Sequence, residues 1–124
     1  MEKQKILIVD DSEMNRDLLI DILEDQYDIV ETDNGAEAVA LLSQQRTDFS
    51  LLLLDIMMPE MDGFEVLTYI NKYHWNDTFA VIMISADDSP ANIKRAYDLG
   101  AFDYISRPFD PTIILEKSQF QIRY

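Results

Sequence analysis

Leu51-Leu52-Leu53-Leu54-Asp55-Ile56-Met57-Met58-Pro59 sets four consecutive leucines directly before a carboxylate and a proline-containing loop. A continuous apolar run of that length reads as a strand buried on both faces, the pattern of a parallel sheet covered by helices. Ile6-Leu7-Ile8-Val9 has the same character and ends on Asp10 and Asp11. Three carboxylates therefore stand where buried strands should end. Two unit charges about 4 Å apart repel by roughly 4 kcal/mol at an effective dielectric near 20, so three ionised carboxylates sharing one cleft require a compensating cation. Oxygen-only ligands without a neighbouring His or Cys favour Mg²⁺, or Mn²⁺ in its place, over Zn²⁺. Mg²⁺ commonly takes one or two carboxylates with waters and phosphate oxygens. The set points towards phosphoryl chemistry.

Outward from these two runs, short β-branched or Leu-rich stretches alternate with segments of helical period. The spacing predicts strands near 5–9, 28–32, 50–54, 80–84 and 102–105, and helices near 13–25, 35–45, 63–73, 89–98 and 110–122. Five such alternations give an α/β fold, a doubly wound five-stranded parallel sheet with helices on both faces. Ligands of open parallel sheets bind beyond the carboxyl ends of the strands, where the strand order reverses. A flavodoxin-like order 2-1-3-4-5 with right-handed crossovers puts the first and third strands side by side, and with them the aspartates. In the first helix Met14, Leu18, Leu19, Ile22 and Leu23 recur at helical spacing as a packing face, with Glu13, Arg16, Asp17 and Asp21 directed elsewhere. Asn34 is placed to cap the second helix and Gly100 to end the fourth. Lys72 to Thr78 lacks periodicity and reads as a surface loop. It carries the one histidine, His74, without metal-ligand spacing.

The length of 124 residues with 48% hydrophobic content fits a single domain spanning 1–124. Ten basic against 24 acidic side chains leave a net charge of −14, which excludes the basic surface that nucleic-acid binding requires. There is no cysteine, hence no disulfide. The Met1 to Lys5 start leads into only four apolar residues, too few for a signal-peptide core, and no apolar stretch is long enough for a membrane helix. A cytoplasmic location is the expectation. The methionines are dispersed and read as packing material.

Val9-Asp10-Asp11-Ser12, Asp55-Ile56-Met57-Met58-Pro59-Glu60-Met61-Asp62-Gly63, Ile84-Ser85-Ala86, Tyr104 and Arg107-Pro108-Phe109 occur in this order along the chain. Together they closely resemble the receiver domain of two-component response regulators, over essentially the whole length. The resemblance implies that Asp55 accepts a phosphoryl group from a sensor histidine kinase or a phosphotransfer protein. It implies that Asp10, Asp11, Asp55 and the backbone carbonyl of Met57 hold Mg²⁺. Ser85 corresponds to the hydroxyl residue that bonds a phosphoryl oxygen, Ala86 to the small residue leaving room for the phosphate, and Tyr104 to the aromatic that changes position with the hydroxyl. Pro108 marks a candidate cis peptide. Arg107 departs from the family, which usually has lysine there. A planar guanidinium and a compact ammonium are not interchangeable at a tight phosphate site. The switched surface implied is the face of the fourth helix, fifth strand and fifth helix, also a homodimer candidate.

The bland readings stand beside these. An Asp-Asp pair after a strand is commonly a turn or helix cap, a serine ending a strand a local backbone cap, a strand tyrosine a packing residue, and Asp87 an ordinary loop acid. The expected function is a phosphorylation-controlled signalling switch, not an enzyme. One alternative is a receiver that works as a binding module without phosphorylation. Another is a phosphohydrolase of the haloacid dehalogenase type, in which an acid would stand at the position of Met57. The tail Ile113 to Tyr124, with Ser106-Arg107-Pro108-Phe109, resembles receivers that precede cyclic-di-GMP-making or cyclic-di-GMP-degrading domains, so a downstream output domain is a further expectation.

Overall fold

In the computed structural model, residues 3–123 are described, so Met1, Glu2 and Tyr124 of the expected 1–124 domain lie outside them. The order along the chain is β1 (Lys5–Val9), α1 (Glu13–Leu23), β2 (Asp28–Thr32), α2 (Gly35–Gln45), β3 (Leu51–Asp55), α3 (Gly63–Lys72), β4 (Ala80–Ser85), α4 (Pro90–Asp98), β5 (Asp103–Ser106) and α5 (Pro111–Arg123). Short 3₁₀ turns sit at Arg46–Asp48 and Trp75–Asp77. All strand pairs are parallel, as the alternation predicts, and the sheet runs 2-1-3-4-5, the flavodoxin-like order expected. Among the described residues no helix is long and apolar enough to cross a membrane.

Successive strand residues point to opposite sheet faces, so each apolar strand feeds two cores. Leu7, Val9, Leu52, Leu54, Val81 and Met83 pack under α2, α3 and α4 with Ala38, Leu42, Phe64, Leu67 and Ala96. Ile6, Ile8, Leu51, Leu53, Ile82 and Ile84 pack under α1 and α5 with Leu19, Leu23 and Ile114. The helices start where small polar side chains accept free backbone N–H groups. Ser12 caps α1 through the N–H of Asn15 at 3.3 Å, Asn34 caps α2 through that of Glu37 at 2.7 Å, and Asp62 caps α3 through that of Glu65 at 2.9 Å. Gly100, at φ 102°, ends α4 in a conformation costly for a side chain-bearing residue.

Three readings of the sequence are corrected. Met14 and Leu18 are 72% and 47% exposed, because α1 covers the sheet through Leu19 and Leu23 and its apolar stripe is wider than that contact. Arg16 is not directed to water, since it turns back to bond the carbonyl of Asp10 and the carboxylate of Glu31, both at 2.8 Å. The Lys72–Thr78 stretch is no simple surface loop. Its 3₁₀ turn buries Trp75, whose ring stacks on Tyr73 at 5.5 Å and lies under the Arg46 guanidinium at 5.6 Å.

Gly63 joins fold to site. A methyl group added to it would lie 2.2 Å from the backbone oxygen of Asp55, so α3 can begin this close to the end of β3 only without a side chain. Gly63→Ala is expected to lower stability by about 1–3 kcal/mol through overpacking. A urea-unfolding midpoint equal to that of the parent protein would contradict this.

Candidate functional site

The β1–β3 ladder pairs Ile6 with Leu51 through to Val9 with Leu54, and one further step along the same register sets Asp10 beside Asp55. By strand alternation both share the sheet face of Ile8 and Leu53, towards α1 and α5. Both are buried, Asp10 at 0% and Asp55 at 1% exposure, whereas Asp11 is exposed. One carboxylate oxygen from each of the three lies within 4.8 Å of the others. That spacing and all-oxygen chemistry fit one hard divalent ion such as Mg²⁺. Asp55 Oδ2 is buried without a hydrogen-bond partner, an acceptor left open towards whatever enters.

Backbone and side chains fix the remaining oxygens. The Ser12 N–H donates to Asp10 Oδ1 at 2.9 Å and the Met57 N–H to Asp55 Oδ1 at 3.3 Å. Arg107 points inward. Its Nη2 donates to Asp10 Oδ2 at 2.5 Å and approaches Asp55 Oδ1 at 3.2 Å, and its guanidinium lies 5.6 Å from the centre of the Phe109 ring. The Asn15 amide, oriented by the donors facing it, accepts from Nη1 and Nη2 of Arg107 at 3.1 Å each. The Arg107 backbone N–H donates to the Ser85 carbonyl at 2.9 Å, and the Arg107–Pro108 peptide is cis.

Burial, and then the neighbouring charge of Asp10, push the Asp55 carboxyl up to about 7, against the opposing pull of Arg107 and the Met57 N–H. A carboxylate held in this way is poorly solvated and open on one oxygen. It is chemically equipped to bind a cation or to attack an electrophilic phosphorus.

Ser85 and Tyr104 form a second group. Ser85 Oγ, fully buried, accepts the N–H of Asp87 at 3.0 Å, and the Tyr104 hydroxyl donates to the Asp87 carbonyl. Tyr104 is 7% exposed and lies inward against the core under α4, while Ala86 is exposed. The Asp87 carboxylate accepts the Ser89 N–H at 2.9 Å and the Asn92 amide at 2.8 Å, so it shapes the start of α4. Met57 leaves its side chain 64% exposed. His74 is exposed in its turn.

Sequence reasoning missed Asn15, and it missed the inward fold of Arg16. A residue one helical turn from the first carboxylates was the available signal for both. Which polar side chain turns inward depends on the packing of α1, and spacing alone does not carry that information.

The family model for the response regulator receiver domain matches residues 6–119. Chemotaxis protein CheY of Halobacterium salinarum is 37% identical over 118 residues, covering 94% of this chain and 93% of that protein. Regulatory protein VanRc of Enterococcus gallinarum is 31% identical over 121 residues, 97% of this chain, and the chain spans 50% of its length. The solved CheX-CheY-BeF3-Mg²⁺ complex of Borrelia burgdorferi superposes with a TM-score of 0.89 at 30% identity, covering 96% of this chain and 89% of that one.

The folded protein holds the Asp55 proton more tightly than the unfolded chain, whose carboxyl titrates near 3.8. Asp55 therefore supports stability below that pH, and the support is lost as pH rises to about 7. In chelator-treated protein, the melting temperature of Asp55→Asn is expected to exceed that of the parent by a margin that widens from about pH 5 to about pH 7 and then levels. A margin independent of pH would refute the raised titration.

Proposed function

The chain belongs to the response regulator receiver domain family, and from that premise we propose that it is a switch in which Asp55 accepts a phosphoryl group. The donor is a sensor histidine kinase or a phosphotransfer protein. One observation carries the reading: Asp55 lies buried between Asp10 and Gly63 with its Oδ2 unpartnered, at the end of a strand whose other four residues are wholly buried.

In the transfer, an Asp55 carboxylate oxygen forms the new bond to phosphorus as the phosphorus–nitrogen bond of the donor phosphohistidine breaks, and the imidazole keeps that electron pair and takes up a proton. Asp10, Asp11, Asp55 and the Met57 carbonyl are the residues that would hold Mg²⁺, or Mn²⁺ in its place. Bound there, the ion neutralises the carboxylates and the phosphoryl oxygens. The Met57 and Ser12 N–H groups keep the two buried carboxylates oriented. Arg107 supplies a cation for the phosphoryl oxygens and Ser85 a hydroxyl, with Ala86 leaving space beside it.

The response then travels through the Asp87 loop, which already ties Ser85 to Tyr104, to the surface of α4, β5 and α5. That surface is braced by Lys117 and Tyr97 on the Asp103 carboxylate at 2.9 and 3.3 Å. A second copy of the chain or an output domain would read it. We assign the described fold and its termini to one receiver domain, 1–124, acting in the cytoplasm where such kinases present their phosphohistidines. A hydrolase reading is disfavoured, since Met57 supplies no acid two residues after Asp55.

Incubation with acetyl phosphate and Mg²⁺ is expected to add one phosphoryl group by intact mass to the parent protein and none to Asp55→Asn. No addition to the parent protein, or addition that persists in the variant, would overturn the assignment.

A further inference from the structure

The outward stripe of α3 consists of Glu65, Thr68, Tyr69 and Lys72, all exposed and at helical spacing along one face, while Phe64, Val66, Leu67 and Ile70 take the other face into the core. Tyr73 extends the stripe at the C-terminal end of the helix. Tyr69 and Tyr73 are 40% and 51% exposed. Their rings are fixed before any partner arrives, which lowers the ordering cost of binding. Tyr69 stacks on Tyr73 at 6.3 Å, Tyr73 stacks on the buried Trp75, and the Lys72 ammonium lies 5.3 Å from the centre of the Tyr73 ring. An open groove of about 340 Å³ is lined by Glu65, Thr68, Tyr69, Lys72 and Tyr73. The Thr68 hydroxyl already donates to the Phe64 carbonyl at 2.8 Å, so the middle of the stripe needs no polar partner.

Along the stripe the chemistry runs acid, aromatic middle, base. Glu65 and Lys72 stand about 10.5 Å of helix apart, too far to pair with each other. Among the described residues neither forms an ion pair. Reversed, the same stripe is its own complement. When two copies of α3 lie antiparallel about a two-fold axis, with Glu65 of each facing Lys72 of the other, Tyr69 of each falls opposite Thr68 of the other, over the groove. The stripe is also electrically neutral, one acid against one base, in a chain whose net charge is −14. At about 0.15 M ionic strength, exposed charges more than roughly 8 Å apart are largely screened, so the stripe's own charges govern the contact. We propose that the outer face of α3 is a self-docking surface that pairs two copies of this chain antiparallel. Two helical turns per copy make an interface at the small end of specific contacts, so the dimer is weak and exchanges readily. It is separate from the surface of α4, β5 and α5 and independent of any modification of Asp55. Paired chains therefore keep that other surface open.

The test is sedimentation equilibrium of the whole chain at rising concentration and near-physiological salt, for the parent protein, Glu65→Lys, Lys72→Glu, the double swap and Asp55→Asn. The parent's weight-average mass is expected to climb from that of one chain towards that of two. Glu65→Lys and Lys72→Glu should each weaken self-association at least tenfold, since each sets like charges opposite one another at both ends of the contact. The double swap should recover affinity to within severalfold of the parent, and Asp55→Asn should match the parent. Should the double swap fail to fold, Thr68→Arg decides. It brings a charge to an exposed position beside the two-fold axis, and it is expected to abolish self-association. A parent that stays monomeric at every concentration leaves the stripe to a different protein and overturns the proposal. Self-association that survives both single swaps or Thr68→Arg, or that a folded double swap fails to recover, overturns it as well. Each of these failures leaves phosphorylation of Asp55 untouched, since that reading is judged by the mass gained from acetyl phosphate.

Discussion

Asp10 and Asp55 repel each other, and the sheet gives them no room to separate. Parallel strands lie about 4.8 Å apart, the β1–β3 register is fixed by fully buried residues on both faces, and a slip by one position would send Leu51 to Leu54 to the wrong cores. Gly63 closes the remaining escape by holding α3 against the end of β3. The two charges must therefore be met by something positive. Arg107 meets them, its Nη2 pairing with Asp10 at 2.5 Å and with Asp55 at 3.2 Å. The raised titration of Asp55 and the inward pose of Arg107 are two consequences of that one confinement.

The pleat sets the acid cluster and the Ser85–Tyr104 group on opposite faces of the sheet. Asp10 and Asp55 share the face covered by α1 and α5, while Tyr104 shares the face covered by α4, with Ser85 aligned to it through the pairing of Met83 with Tyr104 and Ser85 with Ser106. The two groups meet only at the strand ends, where the Arg107 N–H is held by the Ser85 carbonyl and the Asp87 loop spans from Ser85 to Tyr104. Tyr104 is already inward, held by the Asp87 carbonyl, with Ser85 Oγ turned to the Asp87 N–H. The loop geometry is thus set by bonds that a change at Ser85 would disturb directly. A two-state element of this kind responds to a ligand only by differential affinity for its two arrangements. The Ser85 hydroxyl, which can bond either the loop or an entering anion, is where such a difference can arise.

Much of this was legible because burial and periodicity act over a few residues at a time. Unbroken runs such as Leu51 to Leu54 cannot tolerate a wet face, so the parallel sheet and the aspartates at its strand ends followed, with strand ends shifted by a residue at most, while the strand order needed the flavodoxin-like pattern as well. Side-chain direction on helices was less legible. Met14 and Leu18 satisfy the helical spacing of a buried stripe yet stand in solvent, because α1 packs against α5, β1 and β2 through its other residues. Trp75 was hidden for the opposite reason. Its burial depends on a ring stack and a cation from a different part of the chain, and neither leaves a local period. Arg107 departs from the family's usual lysine, and its direction rests on Asp10 and Asp55, the first of these contacts spanning most of the sequence.

The magnitudes explain how a small domain tolerates such a site. Removing a carboxylate from water costs several kcal/mol even after relaxation, and here two are buried against one guanidinium. Each fully buried Leu or Ile contributes about 1.5–3 kcal/mol, and the strands flanking the aspartates supply Ile6, Leu7, Ile8 and Leu51 to Leu54 at 0% exposure. Those seven residues together contribute about 10–20 kcal/mol, enough to offset the electrostatic cost. Conformational entropy consumes most of that surplus across the domain. The leucine run beside Asp55 is therefore part of the functional apparatus, since a weaker strand would relieve the confinement by letting water or the chain move in. Relief of that kind would return Asp55 to an ordinary solvated carboxylate, with less need for Arg107 and less reason to bind a cation.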